Sequence, residues 1–311
     1  MNLSTWGFTS SEKQTAKHPV KKSISILTML IIMFTGISSF AQTTYNWTAA
    51  GSASWAAAGS WTPARNTPAA DDILIFSAGG TVTATAVPTQ TIGQLSVSGS
   101  TIVNLQSAAG ATTLSIAGGT GVDLSVASGS QLNYNGTTSL IISVLTGATG
   151  SISGSMTTSS SVASTTHQLL AADASGITFN SGATFLQSTN STGSMFGSSG
   201  TANTVIFASG SSFMQGAGSN PFGLTQPNSK VVFQTGSLFK MLVNSAPSLS
   251  GRTYANFEWA IPSGTQSPTG TGALSIDNLT ITTGNLNINL TAGGISIKGN
   301  ISIASGTTLG F

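Results

Sequence analysis

Five rings in this chain could do recognition chemistry: Trp47, Trp55, Trp61, Tyr254 and Trp259. An indole or phenol pairs a broad apolar face with one polar handle. With that face free it can stack on a sugar ring, so these five are the candidate glycan contacts. The first three fall within residues 45–76, and the other two share a short stretch with Arg252 and Glu258. The tryptophans also admit a second role, covering the open end of a repetitive core, because terminal repeats differ from internal ones.

Groups that could do catalysis are scattered. His167 is the one histidine after the leader, without a partner at metal or triad spacing, and reads as a loop or surface residue. Serine is abundant, but a serine nucleophile needs a positioned base. Asp123, Asp173 and Asp277 stand one per region. Asp71 and Asp72 are adjacent, and adjacent strand residues face opposite ways. One Ca²⁺ on either of them with loop carbonyls is the metal arrangement these acids offer. Glu258 with Arg252 and Trp259 is the remaining remote grouping. The residues therefore point to no catalytic residue, no metal and no cofactor, and to a non-enzymatic protein.

The elements that would position these groups come from a repeated phrase. Ile177-Thr178-Phe179 is followed by Ser181-Gly182 and Phe185. The phrase returns at Val205–Phe213 with Gly210, and at Val231–Phe239 with Gly236. The glycine spacings are 28 and 26. Earlier copies occur at Leu124–Leu132, Ile152–Met156 and Leu95–Gly99, and later ones at Ile281–Leu286 and Ile301–Gly306. A period of 20–50 residues marks a stacked-repeat architecture. Period-2 alternation within each copy marks strands. Three short sides at about 3.3 Å per residue make the expected fold all-β: a parallel β-helix (β-solenoid) with coils of roughly 22–30 residues and a Trp-rich N-terminal cap. Stacking places Phe179, Phe207 and Phe233 in one internal ladder and Phe185, Phe213 and Phe239 in another.

The expected organisation has a signal peptide at 1–41, a cap region at 42–90 and solenoid repeats at 91–245. An irregular Pro-containing insertion follows at 246–272, with further coils at 273–311. Residues 187–203 and 216–229 read as turn-rich insertions between coils. Lys21-Lys22, an apolar run over 24–37 and Ser39-Phe40-Ala41 have the form of an export signal cleaved after Ala41. The run falls short of the roughly 20 apolar residues of a membrane span, so no transmembrane span is expected in the mature chain. The last coil stops in mid-phrase at Phe311, which suggests a longer protein.

Charged residues make up 5% of the chain, against 39% hydrophobic ones. From Gln42 onward, five bases (Arg65, Lys230, Lys240, Arg252, Lys298) meet six acids (Asp71, Asp72, Asp123, Asp173, Glu258, Asp277), a net charge of −1. No basic patch is available to neutralise phosphates, which argues against a nucleic-acid partner. There is no cysteine, hence no disulfide framework.

The order Trp47, Trp55, Trp61-Thr62-Pro63, Pro68, Asp71-Asp72 and Ile73–Phe76, then Thr91–Val97, resembles the opening of large secreted surface proteins of Bacteroidota. Those carry autotransporter-type β-strand repeats and travel as type IX secretion cargo. The likeness covers residues 45–99, and no separate C-terminal sorting domain accompanies it. It implies a secreted or cell-surface adhesin-like protein whose partners are glycans or matrix and the bacterial secretion machinery. The alternative is a carbohydrate-binding or polysaccharide-degrading β-helix protein.

Overall fold

In the computed structural model, residues 42–218 and 220–311 are described; the expected signal peptide lies outside the described residues. The chain winds as a parallel β-solenoid of about 10 turns. Two long sheets run along it. One has nine strands, from Thr44–Trp47 through Ile73–Phe76, Gln94–Val97 and onward to Val231–Phe233. The other has 13 strands and runs from Gly51–Ser54 to the final coils. A third, four-stranded sheet closes the early coils with Gln90–Ile92, Thr112–Ile116, Leu140–Val144 and Gln168–Ala171.

Pairing joins like to like. Phe179 lies in register with Phe207 and Phe207 with Phe233, while Phe185 pairs Phe213 and Phe213 pairs Phe239. The rings stack at 4.6 and 5.2 Å in the first ladder and at 5.6 and 5.8 Å in the second. Alternation sends these rings inward and the intervening residues outward, polar in the earlier coils (Ser125, Thr178) and apolar in the later ones (Ile206, Val232).

The corner between the long sheets explains the Ser/Thr-Gly phrase. The amide of Ala183 donates to the carbonyl of Asn180 at 2.9 Å, closing a four-residue turn in which Gly182 has φ +83°. A positive φ at the third position is the type II turn, which glycine enters without steric cost. The residue after the turn is small and faces inward: Ser130, Ala183, Ser211 and Ser237 are all buried. One corner is tighter. A Cβ on Gly154 would lie 2.3 Å from the Ser130 carbonyl oxygen and 2.4 Å from that of Ala127.

The first coil is closed by the chain itself. Trp61–Thr62 folds back antiparallel on Asn46 and Trp47, covering the outer edge of the nine-stranded sheet. Behind it Trp47, Trp55, Trp61 and Phe76 pack edge-to-face and stacked at 4.9–6.2 Å. Arg65 and Asp72 form a buried 2.6 Å ion pair, and Asp72 also accepts from the Ala69 amide.

For the Pro-containing stretch 246–272, which the sequence left open between a long surface loop and a coil with a bulge, the structure has the bulged coil. Arg252–Gln266 is one strand of 15 residues, paired with Leu238–Met241 on one side and Leu274–Asn287 on the other. Register shifts flank Ala260, and Pro262 sits in that irregular part, where no ladder amide is required. Beyond Arg252 the turn between the long sheets disappears. An asparagine row takes its place: Asn278 Nδ2 donates to Asn256 Oδ1, and the Asn300 amide donates to Asn278 Oδ1, both at 2.9 Å.

Gly154→Ala should lower stability by about 1–3 kcal/mol, the usual cost of forcing atoms into a packed site, read from the urea midpoint. An unchanged midpoint would show that the corner can open. Asp72→Ala should cost about 3–5 kcal/mol, because it strands the buried Arg65 guanidinium, and thermal melting would register the loss.

Candidate functional site

The five candidate glycan contacts do not form a surface. None of Trp47, Trp55, Trp61, Tyr254 and Trp259 is more than 3% exposed. The Trp47 and Trp61 indoles donate inward, to the carbonyls of Ala49 (2.8 Å) and Trp55 (2.9 Å). The Tyr254 hydroxyl donates to the Ser248 carbonyl at 2.5 Å, and burial beside this bond raises its pKa. Trp259 stacks in register between Met241 and Ile281 inside the coil. Sugar stacking on these five rings is therefore corrected, since their faces are spent on the core.

Of the carboxylates, Asp72, Asp123, Asp173, Glu258 and Asp277 are engaged in bonds within or between coils. Asp123 accepts from the amides of Gly119 (2.7 Å) and Thr149 (2.8 Å) and from the Gln94 side chain (3.0 Å). Asp173 accepts from the Gly147 amide at 2.7 Å. Glu258 pairs with Lys240 and Asp277 with Lys298. Glu258 and Trp259 point to opposite faces of their strand, so the expected remote grouping with Arg252 does not converge.

His167, expected as a loop or surface residue, does lie in a loop, just before the strand Gln168–Ala171, but is fully buried there. Its Nδ1 accepts from the Leu140 amide at 3.1 Å, which assigns the ring proton to Nε2. The ring meets Tyr134 edge-on at 6.1 Å. Burial lowers its pKa, partly opposed by nearby backbone groups of Ser159, Gly136 and Leu140.

The open part of the molecule is the third side. Its sheet ends with Gln168–Ala171, and the next coils cross that side as loops, before a short strand pair, Thr269–Gly270 with Asn289–Leu290, in the final coils. Those loops still send Met195, Phe196, Phe222 and Leu249 into the core. Thus the stretches read as insertions are partly core: Phe196 packs on Phe185, Phe207 and Phe213, and Phe222 on Phe213, Phe233 and Phe239. Where loops replace strands, two concavities form, of about 360 and 370 Å³. Lys230 lines one and Arg252 the other.

The two cations differ in how they are satisfied. Arg252 is 4% exposed and uses Nε and both Nη atoms in five bonds to neutral oxygens, from Ser248, Leu224, Ser229, Asn220 and Gly223. It staples two loops to the strand and has no N–H to spare. Lys230 is 5% exposed, and its ammonium donates to the Thr201 carbonyl at 2.6 Å. Burial lowers its pKa. Among the described residues neither cation has a carboxylate partner. Sequence reasoning passed over Lys230 because a single lysine has no motif; the one signal was a base in a chain with so few.

No protein-family model, curated protein or solved structure matches the chain. No helix among the described residues is long and apolar enough to cross a membrane.

His167 is neutral when folded and charges more readily when unfolded. Its contribution to stability is complete above about pH 6.5. It declines as the pH falls below that value, by at most about 1.4 kcal/mol per unit, and levels off beneath the lowered folded pKa. Urea midpoints at mildly acidic and neutral pH should differ in this direction, and His167→Gln should reduce the difference.

Proposed function

We propose that this chain is a secreted or cell-surface, adhesin-like structural β-solenoid that does not catalyse a reaction. The observation that carries the reading is the pattern of outward side chains on an extended parallel ladder. Ser96, Ser125, Ser151 and Thr178 form one outward row, and Asn104, Asn133 and Thr157 another. Hydroxyls and amides bond across coils: Ser96 to Ser125 at 3.2 Å, and Asn133 to Asn104 at 3.0 Å. Such a face is hydrated yet nearly uncharged, which suits a rod that stands away from a surface. The leader-like sequence of residues 1–41 and the likeness to exported Bacteroidota surface proteins agree with this reading.

The second reading is a glycan-binding β-helix protein. The two concavities on the third side favour it, and they move the candidate contact away from the buried aromatic rings.

The test is localisation in the organism of origin. Antibody against the solenoid should label intact cells or detect the protein in the medium, and external protease should remove the cell-bound signal. Retention of the protein inside unbroken cells would overturn the reading.

A further inference from the structure

The ammonium of Lys230 is the unusual group on the third side. It lies within a 360 Å³ concavity bounded by Leu170, Ala171 and Ala172 on one wall and by Ser198 and Ser199 on another. An ammonium has three donors, and one of them is used, on the Thr201 carbonyl. A desolvated cation without a counter-charge is costly, and pairing restores what burial removes. Among the described residues no carboxylate pairs with this ammonium within 4.0 Å. The loop opposite it is Gly197-Ser198-Ser199-Gly200. A Cβ on Gly197 would lie 3.8 Å from the lysine Cε, and one on Gly200 would lie 3.5 Å from Nζ. Both are ordinary van der Waals distances, so the backbone of this loop lies against the head of the nearly buried lysine, which meets the concavity as part of its lining.

We infer that this concavity is a binding site for a carboxylate-bearing sugar, a uronic acid unit of an acidic polysaccharide, with Lys230 pairing the carboxylate. Three features select that class. A single ammonium matches the single charge of a carboxylate, and the lining holds no arginine fork or second cation to meet the greater charge of a phosphate. The volume is at the small end of ligand sites, which admits about one ring. The walls join the apolar Leu170, Ala171 and Ala172 to the hydroxyls of Ser198 and Ser199, as a ring with CH faces and hydroxyl edges requires. The neighbouring Arg252 concavity is similar in size, but that guanidinium has no donor left, so it offers no equivalent anchor.

The inference rests on the glycan-binding reading for the class of its ligand and is independent of where the protein acts. The experiment is calorimetric titration of the full chain with galacturonate and glucuronate oligomers, with neutral galactose oligomers, acetate and inorganic phosphate as controls. The uronate oligomers should bind, more weakly as salt rises, and the neutral oligomers should not. Lys230→Met keeps the packed stem without the charge and should weaken binding at least about tenfold, the scale of a lost charged hydrogen bond. Ser199→Tyr fills the mouth from an exposed position and should do the same, which keeps the test valid if the lysine variant does not fold. Equal binding of neutral oligomers, unchanged binding by a folded Lys230→Met or Ser199→Tyr protein, or no uronate binding would overturn the site. Acetate or phosphate binding as tightly as the oligomers would overturn the sugar assignment. Any of these results combined with surface labelling of intact cells would leave the structural reading standing.

Discussion

Each strand of this protein hydrogen-bonds to the strand one coil away, in parallel and in register, and the other features follow from that constraint. Equivalent residues in successive coils must lie about 4.8 Å apart. Inside, like rings then stack, as in the two phenylalanine ladders. Outside, a row of like charges would repel at this spacing. This accounts for the 5% charged content, and two outward pairs set opposite signs one coil apart, Lys240 beside Glu258 and Asp277 beside Lys298.

Stacking also creates an end problem, because among the described residues the first coil has no neighbour below it. The antiparallel return of Trp61–Thr62 occupies the exposed sheet edge, and three indoles with Phe76 fill the space that a preceding coil would have filled. The buried Arg65–Asp72 pair ties the return to the second coil. Aromatic bulk that could have served recognition is used here to terminate the core.

Much of this was legible in the sequence. Alternation set the strand faces, the Ser/Thr-Gly phrase marked turns, and the return of Phe179, Phe207 and Phe233 at spacings of 28 and 26 predicted their stacking. The misses have physical causes. Prolines at 247, 262 and 268 suggested a break, but the ladder accommodates Pro262 at an irregularity. Single polar residues such as His167 gave no periodic signal, because they fill particular positions inside a coil rather than repeat along it. Phe196 and Phe222 were hidden in turn-rich stretches because loops, not strands, carry them inward. The third side, where the sheet stops, is where loops bring Lys230 to the wall of a concavity.

The register itself is the claim on which this account rests. The chain has no cysteine, so Ser96→Cys and Val232→Cys would carry spin labels at those two positions alone. Both side chains point outward in the same row, five coils apart through Ser125, Ser151, Thr178 and Ile206. Pulsed electron–electron resonance should return a narrow distribution centred at about 24 Å, five spacings of the parallel ladder. A broad distribution, or a separation well beyond that distance, would contradict the in-register solenoid.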